Sequence, residues 1–348
     1  MTVLQSYVPL LNIIQRCCTC FGITVNLLLV PLIIFKSPKD LGLYKYMMIY
    51  ISCFEIFFGC VELLTIPDFF TKDSSFFVMV DPRKTIIPSS FIQAADLLFC
   101  GSFAVSLGIF GFQFAYRYQV LKGNKDWTES TFKNFVFWLG SPLVFATIWS
   151  AALGVFMPLN PYAKTVLKRE SVFSEYLDLD SIGFIGALFY PVLDDGSKIV
   201  NWDSMRGVSI TTTILMSSEF TMFFFAMKCF LATKSLMAQA GHSKSFRRLQ
   251  WQLFYALVLQ TLIPITFIQG PFSVIYFTTL VLDQSVEWLG HFLALTITLY
   301  LATDAFPTIF IIKQYRDTVM GYFKRFKVIQ VKPTQAPSIT SVNFKILG

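Results

Sequence analysis

Seven stretches of the chain are apolar for long enough to cross a bilayer, and most of the charged residues fall between them. The runs cover residues 10 to 35, 46 to 66, 91 to 121, 135 to 157, 208 to 233, 253 to 278 and 291 to 312. A helix rises about 1.5 Å per residue, so roughly 20 apolar residues cross a hydrocarbon core ~30 Å thick. The pattern predicts an all-α membrane protein, a bundle of seven transmembrane helices. The third run is long enough to tilt or to leave the bilayer, and the fifth is diluted by Thr211 to Thr213 and Ser217 to Glu219. The seventh holds Asp304, costly at mid-bilayer unless it faces other helices or water, and Pro307, which leaves the Thr303 carbonyl without a donor and predicts a kink. A carboxylate beside a kink suits a moving part; a neutral, hydrogen-bonded acid beside a tolerated proline is the plainer alternative.

Between the runs, the longest connection is Pro158 to Gly207, with turn signals at Leu159-Asn160-Pro161 and Asp194-Asp195-Gly196 around an alternation from Ile182 to Tyr190. A little strand or lid structure over the bundle is expected there. After the last run, Tyr315 to Phe326 puts Val319, Tyr322, Phe323 and Phe326 on one helical face ringed by Arg316, Lys324, Arg325 and Lys327, the pattern of a short amphipathic helix on the inner leaflet. Residues 331 to 348, with Pro333 and Pro337, read as a disordered cytosolic tail. Residues 1 to 330 thus read as one seven-span membrane domain.

Composition agrees with a membrane protein. Of 348 residues 55% are hydrophobic, 39 are Phe, and 14% are charged against about 25% in a typical soluble domain. Segments 36 to 45, 116 to 134, 228 to 252 and 313 to 348 hold 19 Lys and Arg against four acids. The opposite connections hold twelve acids, so the positive-inside rule puts the amino terminus outside and the carboxyl terminus in the cytosol. The net charge of +7 is polarity across a bilayer and gives no reason to expect nucleic acid. No basic region precedes the first run, so an uncleaved first span is expected. Seven cysteines at 17, 18, 20, 53, 60, 100 and 229 all sit in or near the spans, which argues against disulfide-stapled loops. With two histidines and no paired CxxC motifs a zinc site is not expected, and no N-x-S/T acceptor occurs.

Candidate chemistry is sparse. Glu55, Glu62, Asp96, Glu219 and Asp304 lie within spans, and Glu55 and Glu62, seven apart, share a helix face. They form either an ion or proton ladder or a set of neutral acids buried between helices; no span offers a mid-depth Lys or Arg to pair with them. At the basic end of the third span stands Tyr116-Arg117-Tyr118, where the guanidinium either anchors the helix end or binds neighbouring carbonyls in one conformation and a partner in another. The sixth span is broken by Pro264 and by Gly270-Pro271. No nucleophile elbow, phosphate loop or metal-binding His pair is present, so the reading is not an enzyme, and no cofactor or metal is expected.

Several motifs together resemble a known family. Ser37-Pro38-Lys39-Asp40-Leu41-Gly42-Leu43-Tyr44-Lys45-Tyr46 with Ser52-Cys53-Phe54-Glu55-Ile56, the Tyr116-Arg117-Tyr118 end, Leu249 to Phe254 leading into Leu259 to Ile265, and Asp304 to Ile312 with Tyr315-Arg316 are similar to the nematode seven-transmembrane serpentine chemoreceptors of the Str superfamily. The resemblance covers residues 10 to about 320. It implies a G-protein-coupled receptor in the plasma membrane, in the sensory cilia of chemosensory neurons, that detects a small-molecule odorant. It sets Arg117 where rhodopsin-like receptors carry the Arg of Asp-Arg-Tyr, and Asp304 to Pro307 at their seventh-helix hinge. Two features depart: Tyr116 replaces the acid beside that Arg, and no cysteine pair ties span three to the long outer loop.

On this reading an uncharged or weakly polar odorant binds the outer half of the bundle, with Glu62, Asp96, Phe99, Cys100, Phe103, Thr212, Met216, Gln269, Phe272 and Tyr276 as lining candidates chosen by depth. Arg117, Tyr116, Tyr118, Glu55, Pro264, Asp304 and Pro307 form the signalling switch, and Lys122, Lys125, Lys244, Arg247 and Arg248 meet a heterotrimeric G protein. The alternative is a transporter or channel that uses the intramembrane acids; no internal repeat supports it.

Overall fold

A computed structural model describes residues 8–38, 41, 44–129, 131–169, 181–193, 195–238, 243–286 and 288–330. The tail from 331, His242, Glu287, the loop acids of 170–180 and the Lys39, Asp40, Gly42 and Leu43 part of the first basic loop lie outside the described residues. Among those described, seven helices are long and apolar enough to cross a membrane. They are α1 (Val8–Lys36), α2 (Tyr44–Thr65), α3 (Ser89–Lys122), α4 (Phe132–Phe156), α5 (Trp202–Ala238), α6 (Lys244–Val281) and α7 (Trp288–Ile311). A further helix, α8 (Lys313–Gln330), turns away from the end of α7. α3 is the central helix and the most buried of the seven, while α5 presents most of its surface outward.

Helix breaks follow from the prolines. Pro264 and Pro271 cannot donate to the carbonyls one turn earlier, and α6 opens into a π turn between them at Ile265–Gln269; a second π turn, Phe277–Val281, follows where no proline stands. α7 is interrupted at Asp304 and Ala305 and resumes at Phe306–Ile311, with Pro307 in its first turn. α8 docks through Tyr315, fully buried, whose hydroxyl shares a hydrogen bond of 2.6 Å with Ser37 beyond the end of α1.

The end of the bundle opposite the basic loops is closed by a three-stranded antiparallel sheet. The α2–α3 connection forms β1 (Asp68–Lys72) and β2 (Ser75–Val80), and the α4–α5 connection supplies β3 (Gly183–Leu188) in the order β1-β2-β3. Strand structure near Ile182 to Tyr190 was expected; the hairpin was not. Its two-residue turn puts Asp73 at φ +48°, a conformation Asp tolerates. Phe69, Phe76, Val78, Ile185 and Ala187 join the bundle core, while Phe77, Met79, Phe184 and Leu188 pack under a short helix, Pro161–Arg169. Both faces are covered, so β2 and β3 are buried at every position.

The open edge of β3 is satisfied without another strand. Phe184 N–H donates to Gln93 Oε1 (2.9 Å) and the Gln93 amide returns to the Phe184 carbonyl (3.0 Å); Gly186 N–H reaches the Met157 carbonyl (3.0 Å) and Leu188 N–H the Ser204 hydroxyl (3.2 Å). Successive outward-facing amides of one strand are thus taken by α3, the end of α4 and α5, which supplies the anchoring that a disulfide would have given; all seven cysteines are free. The hairpin lies so close to α7 that a Cβ on Gly290 would collide with the Phe69 carbonyl oxygen. Replacing Gln93 by Ala strands one donor and one acceptor of Phe184, and thermal unfolding in detergent should show a loss of about 1–3 kcal/mol, whereas an exposed neighbour such as Ala94→Ser should change little.

Candidate functional site: a capped cavity and a buried arginine

Beneath the sheet lies a cavity of about 30 Å³. Phe99, Cys100 and Phe103 of α3, Phe272 and Tyr276 of α6, Trp149, Leu153 and Met157 of α4 and its end, and the sheet residues Phe69, Phe76, Val78, Ile185, Gly186 and Ala187 enclose it. The rings interlock: Phe272 lies 5.1 Å from Phe76, 5.0 Å from Phe103 and 5.3 Å from Tyr276, centroid to centroid. Five of the ten lining candidates therefore meet here. The others do not. Thr212 and Met216 face outward, because α5 meets the bundle through its other side; Gln269 is half-buried in the first π turn, away from the cavity. Asp96 is completely buried one turn from Cys100, beside Gly183, with no partner for either carboxyl oxygen among the described residues. The α4 and sheet residues of the wall were missed from sequence, because nothing in an apolar helix marks its inward face and the hairpin had not been recognised.

Glu62 does not line this cavity either. Its carboxyl accepts from Thr19 of α1 (2.5 Å) and Thr298 of α7 (3.0 Å), so it ties three helices. One face of α2 further on, Glu55 accepts from the Tyr300 hydroxyl and lies within electrostatic reach of Asp304. Asp304 sits in the α7 break, 1% exposed, its carboxyl oxygens unpartnered while its backbone carbonyl accepts from Gln260 of α6 (3.3 Å). The ion pairs found among the described residues involve none of these acids. An unpaired charge there would be expensive, which favours the neutral acids; the carboxyls of Glu55 and Glu62 join α1, α2 and α7, and the Asp304 backbone carbonyl joins α7 to α6.

At the basic end Arg117 is buried, 2% exposed. Its Nη2 donates to the backbone carbonyl of Gln250 in α6 and, at 3.3 Å, to the Gln250 side-chain oxygen. The guanidinium stands 5.7 Å from the Tyr44 ring centroid. Tyr116 stacks on Tyr44 (6.4 Å) and meets Trp138 edge-on (5.4 Å), so the residue that takes the place of an acid fills an aromatic core. Tyr118 is half-buried against Phe225, with Lys122 and Lys228 over its ring. Around this end Lys122, Lys125, Lys244 and Arg248 are exposed; Arg247 is half-buried and donates to the Met237 carbonyl (2.9 Å), closing the end of α5.

A helical bundle with an aromatic cavity at one end and a clamped arginine at the other narrows the fold, and the comparisons decide the family. A model of the family described as serpentine type 7TM GPCR chemoreceptor Str matches residues 11–320. The chain belongs to the Str family of serpentine chemoreceptors. It is 30% identical over 317 residues to the G-protein coupled receptor str-217 of Caenorhabditis elegans, covering 89% of this chain and 88% of that protein. It is 24% identical to the serpentine receptor class r-10 of the same organism, with 91% and 93% covered. Among solved structures squid rhodopsin superposes with a TM-score of 0.56 at 12% identity, over 93% of this chain and 87% of that one. This Str receptor is therefore a multi-pass membrane protein with the seven-helix receptor fold, and the transporter or channel alternative is not favoured.

If the buried acids are neutral, Asp304→Asn should leave the thermal stability of the detergent-solubilised receptor unchanged or slightly raised. Glu62→Leu should lower it by about 1–3 kcal/mol through the loss of both interhelical hydrogen bonds. Unfolding curves of the two variants beside wild type make the comparison.

Proposed function

We propose that this Str receptor detects a small, mainly apolar external chemical in the cavity beneath the sheet and passes the event to a heterotrimeric G protein at its basic end. The sheet end faces outside and the basic loops face the cytosol, as the loop charges indicate. One observation carries the reading: α6 supplies Phe272 and Tyr276 to the cavity between its two π turns, and its other end supplies Gln250 to Arg117. The cavity is far below the ~150 Å³ that admits benzene, so an occupant must spread the rings. Phe272 and Tyr276 sit on a short α-helical segment, Gly270–Tyr276, flanked by the two π turns, and their displacement is taken up at Pro264 and Gly270-Pro271. Release of Gln250 then frees Arg117, with Asp304, Pro307 and Glu55 accommodating the change in α7, and exposes the surface ringed by Lys122, Lys125, Lys244 and Arg248.

The odorant role, the sensory-cilium location and the orientation belong to this proposal. The inward-lining aromatics and the single thiol favour an uncharged ligand, since no Lys, Arg or ionised partner stands in the wall.

Two variants test the two ends, read with a calcium or cyclic-nucleotide reporter against an odorant panel. Ala187→Val narrows the cavity and should reduce sensitivity by about tenfold or more at unchanged surface expression. Gln250→Glu sets a carboxylate against Arg117 and should lower basal signalling severalfold, while Tyr44→Leu, which removes the ring beneath the guanidinium, should raise it, as ~1–2 kcal/mol of bias in a two-state switch does. A wild-type receptor that reaches the surface and ignores the whole panel contradicts the proposal.

A further inference from the structure

The cavity is more heavily covered toward water than toward lipid. Above it stand two apolar layers, the inner face of the sheet and the Phe77, Phe184 and Leu188 layer beneath the helix Pro161–Arg169. The cap is also bolted down: Tyr190 donates to the Leu280 carbonyl (3.0 Å), Thr71 to that of Val286 (2.9 Å), and Lys198 pairs with Asp283. An aqueous route would have to break these together.

On the lipid side the wall is one helix thick. Residues of α3 and α4 alternate between two spaces: Cys100, Phe103 and Trp149 line the cavity, and their sequence neighbours Gly101, Ser102 and Ser150 line a separate groove among α2, α3 and α4. That groove is large, about 860 Å³, and its lining includes residues exposed on the flank of the bundle, Phe57, Leu98, Leu143 and Val155. Small side chains form its bed, and at its narrowest seam a Cβ on Gly101 would collide with the Ser150 hydroxyl. Tyr50 lines the groove too, and its buried hydroxyl has no hydrogen-bond partner among the described residues. The groove suits a compact apolar molecule carrying one hydrogen-bonding group, already dissolved in the bilayer.

We infer that ligands reach the cavity from the membrane, through the seam between α3 and α4 at Gly101 and Ser150, so that the receptor selects for chemicals that partition into lipid. The inference rests on the cavity being the ligand site. At this seam only a hydrogen atom and a hydroxymethyl group stand between α3 and α4, and one long hydrogen bond, Ser150 hydroxyl to the Leu97 carbonyl (3.4 Å), crosses it, so separating the two helices here breaks fewer contacts than opening the cap.

Cys100 in the cavity wall reports arrival without any knowledge of the natural ligand. The full chain is placed in lipid nanodiscs, with Cys53 replaced by serine because it lines the groove. Alkylation of Cys100 is followed by peptide mass spectrometry for N-phenylmaleimide, which dissolves in the bilayer, and for a permanently charged methanethiosulfonate, each rate normalised to that of the denatured chain. The apolar reagent should be favoured by about tenfold or more, the ratio that ~1.4 kcal/mol of barrier gives. The seam can also be stapled: an ideal Cβ at 101 lies 3.8 Å from the Ser150 Cβ, the spacing of a disulfide. In the double variant Gly101→Cys, Ser150→Cys, oxidation should slow modification of Cys100 by N-phenylmaleimide by a similar factor, and reduction should restore it, so one polypeptide is its own folding control. Equal access for the charged reagent, or a staple without effect, overturns the route. Because only access is read, failure here leaves the signalling reading to its own test at Ala187.

Discussion

The feature on which the rest of the molecule depends is a guanidinium buried among aromatic rings. Arg117 cannot lose its charge, and in a hydrocarbon-bounded bundle such a group is tolerated only where acceptors and ring faces surround it. Here the acceptors belong to Gln250, on a different helix, and the ring to Tyr44, on a third. Three helices are held together by the solvation needs of one side chain. A neutral amide and a main-chain carbonyl hold it more weakly than a carboxylate would, which leaves the clamp open to release.

At the other end of the bundle stands a cavity of about 30 Å³ walled by aromatic rings. α6 belongs to both the cavity and the clamp, and π turns replace regular helix on either side of the segment that carries Phe272 and Tyr276. α7 is broken at Asp304 just before Pro307; Glu55 and Glu62 of α2 tie α7 to α2 and, through Thr19, to α1, while Gln260 of α6 bonds the Asp304 backbone carbonyl. Such acids add directional contacts between helices where lipid offers no hydrophobic drive for association. They explain how a bundle with two interrupted helices keeps one arrangement.

Much of this was legible in the chain, for reasons that can be stated. Spans announce themselves by length and apolarity, so all seven helices were visible, and Arg117, Pro264 and Asp304 stood out as the wrong residues for a bilayer. Phe99, Cys100, Phe103, Phe272 and Tyr276 were found by depth. Depth does not give azimuth: Thr212 and Met216 lie at a suitable level yet face outward, because α5 has no apolar stripe to distinguish its sides when its surroundings are also apolar. Glu62 looked like a ligand contact and is a tie between helices, since a buried carboxyl advertises its cost but not its partner. The hairpin escaped because β2, Ser-Phe-Phe-Val-Met-Val, is covered on both faces and so lacks the alternation that marks a half-buried strand. Resemblance to the family supplied what spacing alone left open at Arg117 and Asp304.

The central claim is that the cavity governs the separation of α3 from α6 at the basic end. Spin labels at the exposed positions Lys122 and Lys244, measured by double electron–electron resonance in nanodiscs, follow that separation directly. The account predicts that an activating odorant from the panel lengthens the distance distribution, and that Tyr44→Leu does so without odorant. Signalling that rises while the distribution stays unchanged would contradict it.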